Sequence, residues 1–248
     1  MLLRAIGAGI VDMVFPPRCI ACPEPTDAPH GLCPACWRDT HFIAGTACRR
    51  CGLPLVGGEA GDADVCDGCL RHPPAWDRGA AAVLYAGAAK RVILALKHGD
   101  RLDTVGPLAA WMAAAGRELL AGADVIAPTP LHWRRLARRR YNQSAELAKR
   151  LGRLSGRPVA IDLLSRVRAT KPQERMDRAA RAANQAGAFA VTPRRIAAVA
   201  GRSVLLVDDV LTSGATLSAC ADTLRAAGAA RIDVLVLARV AFDDSAKL

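Results

Sequence analysis

The stretch VLLVDDVLTSGAT, residues 204–216, joins an apolar run to two adjacent carboxylates and then to a loop of small residues. The apolar run has the length and composition of a buried strand. Two neighbouring carboxylates repel each other and lose hydration when they are buried, so Asp208 and Asp209 need a partner. A ligand rich in hydroxyl and phosphate groups would be such a partner.

The loop that follows the two acids has the features of a phosphate site. It stands between a predicted strand and a predicted helix, so its backbone N–H groups and hydroxyls converge on an anion, assisted by the helix dipole. Gly214 allows close approach of the backbone. The candidate phosphate-binding residues are Thr212, Ser213, Gly214, Ala215 and Thr216. A 5-phosphorylated ribose would satisfy the loop and the carboxylates together, whereas the NTPase and dinucleotide glycine motifs are both absent from the sequence.

The second half of the chain alternates predicted strands with predicted helices. Strands are predicted at 80–86, 123–130, 203–209 and 231–240, and helices at 88–98, 104–121, 142–155 and 214–228. This alternation indicates an α/β domain with a mostly parallel sheet, whose ligands bind beyond the carboxyl ends of the strands.

Eight of the nine cysteines form four C-x-x-C pairs in the first half of the chain: Cys19 and Cys22, Cys33 and Cys36, Cys48 and Cys51, and Cys66 and Cys69. Two such turns supply the four thiolates of one closed zinc site, so four turns predict two structural Zn²⁺ ions. The simplest pairing is sequential and gives tandem zinc ribbons, and a cross-braced pairing of first with third and second with fourth stays open. Because the sites are closed, the metal should stabilise the fold and take no part in chemistry.

Other uses of the cysteines fit the pattern less well. A thioredoxin-like motif needs one C-x-x-C, and iron–sulfur spacings place three cysteines close together. The N-terminus lacks the pattern of a signal peptide, and no apolar run approaches the roughly 20 residues that a bilayer requires. We therefore expect a cytoplasmic, reducing location without membrane insertion, where disulfides are disfavoured.

The sequence predicts three regions. Residues 1–17 form an amphipathic helix, residues 18–76 form the double zinc ribbon, and residues 77–248 form the α/β domain. Residues 168–184 are polar and basic, which favours a mobile loop or a loosely packed helix that closes over the site.

The chain is basic, with a net charge of +11 that comes mainly from arginine. Arginine suits bidentate contact with phosphate, so a polyanionic substrate or partner is expected. Arg138, Arg139 and Arg140 follow a predicted strand, where they would contact pyrophosphate or single-stranded nucleic acid, or form a solvated basic face.

The 204–216 stretch closely resembles the phosphoribosyl pyrophosphate (PRPP) signature of type I phosphoribosyltransferases, and the whole chain resembles the competence protein ComF family, also called ComFC or GntX-like. Members of that family combine a double zinc ribbon with a phosphoribosyltransferase domain. Further matching motifs are Leu96-Lys-His-Gly-Asp100, Pro128-Thr-Pro-Leu131, Arg138-Arg-Arg-Tyr-Asn-Gln143, Pro172-Gln173, Arg181-Ala-Ala-Asn184 and Gly187-Ala-Phe189. Residues 174–181 depart from the family, whose members often have a Gly-Leu-Ser-like turn there.

The resemblance implies a type I phosphoribosyltransferase-like fold with specific roles for these residues. Asp208 and Asp209 would hold the ribose hydroxyls of PRPP, as the candidate catalytic residues, and residues 212–216 would surround its 5-phosphate. Mg²⁺ would be held largely by PRPP itself. Lys97 and Arg181 join the arginine run as candidate contacts to pyrophosphate or DNA.

Two functions remain open at this stage. One is a Mg²⁺-dependent phosphoribosyltransferase with an unidentified acceptor, linked to the handling of single-stranded DNA in natural transformation or related DNA metabolism. The other is a non-catalytic PRPP-binding adaptor that binds single-stranded DNA or a ComFA-like helicase. Pyrophosphate release would distinguish them.

Overall fold

The structure is a computed structural model that describes residues 16–55, 64–98, 101–131, 141–168, 170 and 178–241. In these ranges the strands are β1 (Arg78–Leu84), β2 (Val125–Pro128), β3 (Leu164–Arg166), β4 (Phe189–Val191), β5 (Ser203–Leu211) and β6 (Arg231–Arg239). The helices are α1 (Pro34–Arg38), α2 (Asp67–Arg71), α3 (Gly87–His98), α4 (Val105–Ala115), α5 (Arg117–Ala121), α6 (Gln143–Ser155), α7 (Arg178–Gln185) and α8 (Ala215–Ala226). The predicted helix at 1–17 falls almost wholly outside the described residues.

The main sheet has four parallel strands in the order β1-β6-β5-β2. This confirms the mostly parallel α/β fold. The two central strands are almost continuously apolar because both of their faces are covered, as is usual in parallel sheets.

Helices cover one face of the sheet. Leu205 and Val207 of β5 share a buried apolar cluster with α3, α4 and α6. Val204 and Leu206, which alternate with them, belong to the cluster on the other face, together with α8 and with Cys48, Cys51, Cys66 and Cys69. The sheet therefore lies between a layer of helices and a mixed layer formed by α8 and part of the zinc ribbon.

A small antiparallel sheet of β3 and β4 stands apart from the main sheet. Its strands have only three residues each, too few for a periodic pattern, so the sequence did not predict them. The sequence predicted a loop or a helix at 168–184. The helix α7 begins within this segment, at Arg178, whereas residues 169 and 171–177 lie outside the described ranges.

The cysteine-rich region packs directly on the edge of the α/β domain. Phe42 forms a bridge with Val83 of β1, and the amide of Ile43 donates to the carbonyl of Ala82. The cysteines of this region fall into two apolar clusters. Cys19, Cys33 and Cys36 lie in a small cluster with Ala88, whereas the four cysteines from Cys48 to Cys69 belong to the main core.

Candidate functional site

The sequence predicted a strand that ends at Asp209, but β5 continues to Leu211, so both acids lie within the strand. β2 stops at Pro128, which pairs with Val207, whereas β6 continues to Arg239 and keeps β5 paired as far as Leu211. Both carboxylates lie beyond the end of β2, and they have different partners.

Asp208 is held by three hydrogen bonds, all to Oδ1. The hydroxyls of Thr129 and Ser144 donate at 2.7 and 2.8 Å, and the amide of Asp209 donates at 3.0 Å. Burial, together with the negative charge of Asp209, raises the pKa of Asp208 to about 6, although the hydrogen bonds favour the ionised form. Asp208 therefore connects β5 to the residue that follows β2 and to the first turn of α6.

Asp209 forms an ion pair with Lys97 of α3. The ammonium of Lys97 lies 3.1 Å from its Oδ1, and both side chains are largely buried, with 20% and 13% exposed. The sequence analysis named Lys97 as a candidate contact to pyrophosphate or DNA. In the structure it lies near the end of α3 and contacts Asp209.

The end of α3 is fixed by residues that the sequence analysis did not single out for this purpose. The hydroxyl of Tyr141 donates to the carbonyl of Leu96, and the amide of Gln143 contacts the carbonyl of Lys97 at 3.5 Å. Between them, Asn142 caps α6: its side chain accepts from the amide of Ser144 at 3.0 Å. The helix cap was predictable from sequence, but the contacts with α3 join residues more than forty positions apart.

The loop at 212–216 has the geometry expected of an anion site. Gly214 adopts a positive φ of 79° and is the N-cap of α8, whose first N–H groups have no partner within the helix. The hydroxyl of Ser213 is buried and has no hydrogen-bond partner among the described residues. A buried, unsatisfied hydroxyl beside helix N–H groups that lack a partner within the helix has the hydrogen-bonding capacity that an oxyanion would use.

Arg239 of β6 forms hydrogen bonds with the backbone at the start of this loop. Its guanidinium, in a residue only 8% exposed, donates to the carbonyls of Leu211 and Thr212 at 3.1 and 3.0 Å. Arg239 thus fixes the path of the chain where β5 leaves the sheet.

Two concave surfaces adjoin the loop. A concavity of about 30 Å³ is lined by Asp208, by residues of the loop and by Leu217. A larger cleft of about 560 Å³ lies between α7 and α8, where Ser213 and Ala215 form part of its wall. Asp208 lines the smaller concavity and Ser213 lines the larger cleft, so the loop borders both candidate anion-binding surfaces.

The remaining candidate cations are distributed as follows. Arg181 lies on α7, the helix that shares the 560 Å³ cleft with the loop. Arg138, Arg139 and Arg140 lie outside the described residues, so their contacts stay predictions.

The eight cysteines form two groups in the sequential pairing. Cys19, Cys22, Cys33 and Cys36 make one group and Cys48, Cys51, Cys66 and Cys69 the other, with all sulfur atoms of a group within 4.8 Å of one another. The cross-braced alternative is therefore wrong for these sites.

The geometry of both groups fits Zn²⁺. The Sγ atoms of Cys22 and Cys33 are 3.6 Å apart, and so are those of Cys51 and Cys66. A tetrahedral zinc with bonds of about 2.3 Å requires sulfur–sulfur separations of about 3.8 Å. Amide N–H groups also donate to sulfur, for example from Cys66 to Cys48 Sγ at 3.3 Å, as suits thiolate ligands.

Comparisons with known proteins agree with this arrangement. The double zinc ribbon domain family matches residues 10–72, and the phosphoribosyl transferase domain family matches residues 144–247. "DNA utilization protein YhgH" of Escherichia coli (strain K12) is 32% identical over 233 residues, which cover 92% of this chain and 99% of that protein. The chain belongs to the competence protein ComF family.

Another member of the family, "Competence protein F" of Haemophilus influenzae, is 30% identical over 228 residues, covering 90% of this chain and 96% of that protein. Among solved structures, a hypoxanthine phosphoribosyltransferase from Staphylococcus aureus covers 56% of this chain and 64% of that chain at 12% identity, with a TM-score of 0.34.

Membership of the ComF family accounts for the double zinc ribbon and the phosphoribosyltransferase domain on one chain. None of the helices among the described residues is long and apolar enough to span a bilayer.

Proposed function

We propose that this ComF-family protein binds PRPP at the loop 212–216 and acts as a Mg²⁺-dependent phosphoribosyltransferase in DNA metabolism. The observation that carries the proposal is the buried Ser213 hydroxyl, which lacks a partner at the N-terminus of α8. A 5-phosphate would accept from that hydroxyl and from the free N–H groups of the helix. The phosphoribosyl transferase domain match supports this ligand over other phosphorylated sugars.

The two acids would divide the recognition of the ribose. Asp208 lines the concavity beside the loop and has all three of its hydrogen bonds on Oδ1, so Oδ2 is the oxygen available to a ribose hydroxyl. Asp209 would accept a second hydroxyl while Lys97 neutralises its charge. Mg²⁺ would arrive with PRPP, held mainly by pyrophosphate and ribose oxygens.

Transfer would break the bond between ribose C1 and pyrophosphate and form a bond from C1 to the acceptor, whose proton is released. The ribose becomes oxocarbenium-like as pyrophosphate leaves, so the protein would act mainly by positioning and by stabilising charge. Lys97 places a positive charge beside the ribose-binding acids, where it would favour the leaving group.

Calorimetric titration of PRPP, with and without Mg²⁺, tests the binding. We expect Ser213→Ala to weaken PRPP binding by about fivefold, because one hydrogen bond is lost. Ser165→Ala is the matched control, since Ser165 lies on β3 with its hydroxyl directed to the carbonyl of Ala190. Equal affinity of wild type and Ser213→Ala would refute the assignment of the loop.

Phosphorus NMR then separates transfer from binding alone. New pyrophosphate in the presence of an acceptor would establish the transferase, whereas PRPP binding without pyrophosphate would favour the adaptor. The relatives named for DNA utilization and competence are the specific reason to include single-stranded DNA as an acceptor or partner.

Contact with single-stranded DNA is tested through salt dependence. Replacing Arg138, Arg139 and Arg140 together by Ala should reduce the slope of log affinity against log salt by about two, if each arginine contacts a phosphate. An unchanged slope would contradict the assignment of these arginines to DNA. The ComFA-like helicase is a further proposed partner, to be tested by co-purification of the two pure proteins.

A further inference from the structure

The two cysteine sites differ in what they pack against. The first site belongs to a small cluster whose one buried residue from the α/β domain is Ala88. The second site lies in the core that also contains Trp76, Leu211 and Leu217, which flank the loop 212–216. Only the second site is therefore in a position to influence this loop directly.

Trp76 connects the second cysteine site to the loop. Its indole Nε1 donates to the carbonyl of Arg50 at 2.6 Å, and Arg50 lies between the metal-ligating Cys48 and Cys51. The opposite end of the ring touches the loop: a Cβ added to Gly214 would lie 2.9 Å from Cη2 of Trp76. Trp76 is only 4% exposed, so its position is determined by these contacts.

The turn that holds Arg50 is itself seated tightly on β1. A Cβ on Gly79 would lie 2.4 Å from the Arg50 carbonyl, and a Cβ on Gly52 would lie 2.5 Å from the amide of Ala81. The amide of Gly79 also donates to the carbonyl of Arg49 at 2.8 Å. The turn between Cys48 and Cys51 is thus closely packed against β1, and the Arg50 carbonyl that holds Trp76 is part of that packing.

Arg239 contacts the same loop from β6, since its guanidinium donates to the carbonyls of Leu211 and Thr212 at 3.1 and 3.0 Å. Of these two contacts to the loop, the one from Trp76 connects it to the second cysteine site.

We propose that the second cysteine site, with its metal bound, fixes the phosphate loop through Trp76, which makes Trp76 a positioning residue for PRPP. The first cysteine site has no such effect. This inference rests on the proposed function for its PRPP readout, but the order of the loop can be measured without PRPP.

The experiment compares the two sites on the full-length, zinc-loaded protein. Cys51→Ser removes a ligand of the second site and Cys22→Ser removes a ligand of the first, so each variant should hold one zinc per chain. We expect the amides of 212–216 to exchange with solvent about tenfold faster in Cys51→Ser and at the wild-type rate in Cys22→Ser. Unchanged exchange in a folded Cys51→Ser would overturn the proposal.

A second variant leaves both metal sites intact. Trp76→Phe keeps an aromatic ring but removes the N–H donor, so zinc content should stay at two while exchange at 212–216 quickens and PRPP affinity falls about fivefold. Trp37→Phe is the matched control, since Trp37 lies in the first ribbon with 57% of its surface exposed. Wild-type exchange and affinity in Trp76→Phe would also overturn the proposal, and this test holds if Cys51→Ser fails to fold.

The two proposals fail differently. If the wild type does not bind PRPP, the proposed function is wrong, and the exchange measurements still decide the role of Trp76. If the wild type binds PRPP, and Cys51→Ser and Trp76→Phe both retain wild-type affinity and exchange, then only the inference on Trp76 is wrong.

Discussion

At the scale of single residues, the two adjacent acids of β5 differ in their partners. Asp208 accepts from Thr129 and Ser144, whereas Asp209 is paired with Lys97. Separate partners reduce the repulsion that two neighbouring carboxylates would otherwise experience. These partners offset part of the free-energy cost of burying two adjacent carboxylates, and they do so before any ligand binds.

The raised pKa of Asp208 makes stability depend on pH. Its pKa rises from 3.8 to about 6, so in this interval the folded protein binds a proton that the unfolded chain does not. The ionised form is therefore destabilising, and its cost is relieved as the pH falls through the folded pKa. We expect the free energy of unfolding of wild type, relative to Asp208→Asn, to increase between about pH 7 and about pH 5. Parallel pH profiles from denaturant titrations would contradict this.

Lys97 offers a second test at this scale. Lys97→Ala leaves Asp209 without its cation in a largely buried setting, so we expect PRPP affinity to fall by about tenfold, as for the loss of a charged hydrogen bond. Lys90→Ala is the control, because Lys90 lies on the same helix over the ring of Tyr85. The assignment fails if calorimetry gives both variants the same affinity.

At the scale of elements, the junction between β5 and α8 determines the site. β6 keeps β5 paired past the acids, Arg239 holds the last carbonyls, and Gly214 begins the helix with a positive φ. The position of Gly214 has two requirements, a left-handed backbone and space for Trp76.

Two glycine substitutions separate these requirements. Gly201 has a similar φ of 68° but nothing within 4 Å of an added Cβ, so Gly201→Ala should cost about 1 kcal/mol from the backbone alone. Gly214→Ala should cost about 2 kcal/mol or more, because the new methyl group also overlaps Trp76. Equal losses of unfolding free energy would mean that the Trp76 contact is easily relieved.

At the scale of the whole molecule, the zinc ribbon is not an independent appendage. The second cysteine site shares one apolar cluster with Leu206 of β5 and Val236 of β6, the central strands of the sheet. Metal binding at that site should therefore stabilise the sheet as well as the ribbon.

Removal of zinc tests this coupling. We expect an excess of chelator to release two zinc ions per chain and to increase amide exchange in β5 and β6 as well as in residues 18–76. Chelator that has already been saturated with zinc is the control. Exchange confined to the ribbon would show that the two parts are stabilised independently.

The sequence by itself determined the elements that depend on local pattern. The apolar runs of β5 and β6, the spacing of the cysteines and the small-residue loop before α8 all carry their signal within a few residues, and each was predicted. The three-residue strands β3 and β4 carried too little signal to be predicted.

Only the tertiary structure decided which distant residues meet. It selected the sequential cysteine pairing, placed Thr129 and Ser144 on Asp208, and packed Trp76 against Gly214. These contacts join positions that are far apart along the chain, so no local pattern encodes them. They follow from strand register and close packing, which are properties of the folded chain as a whole.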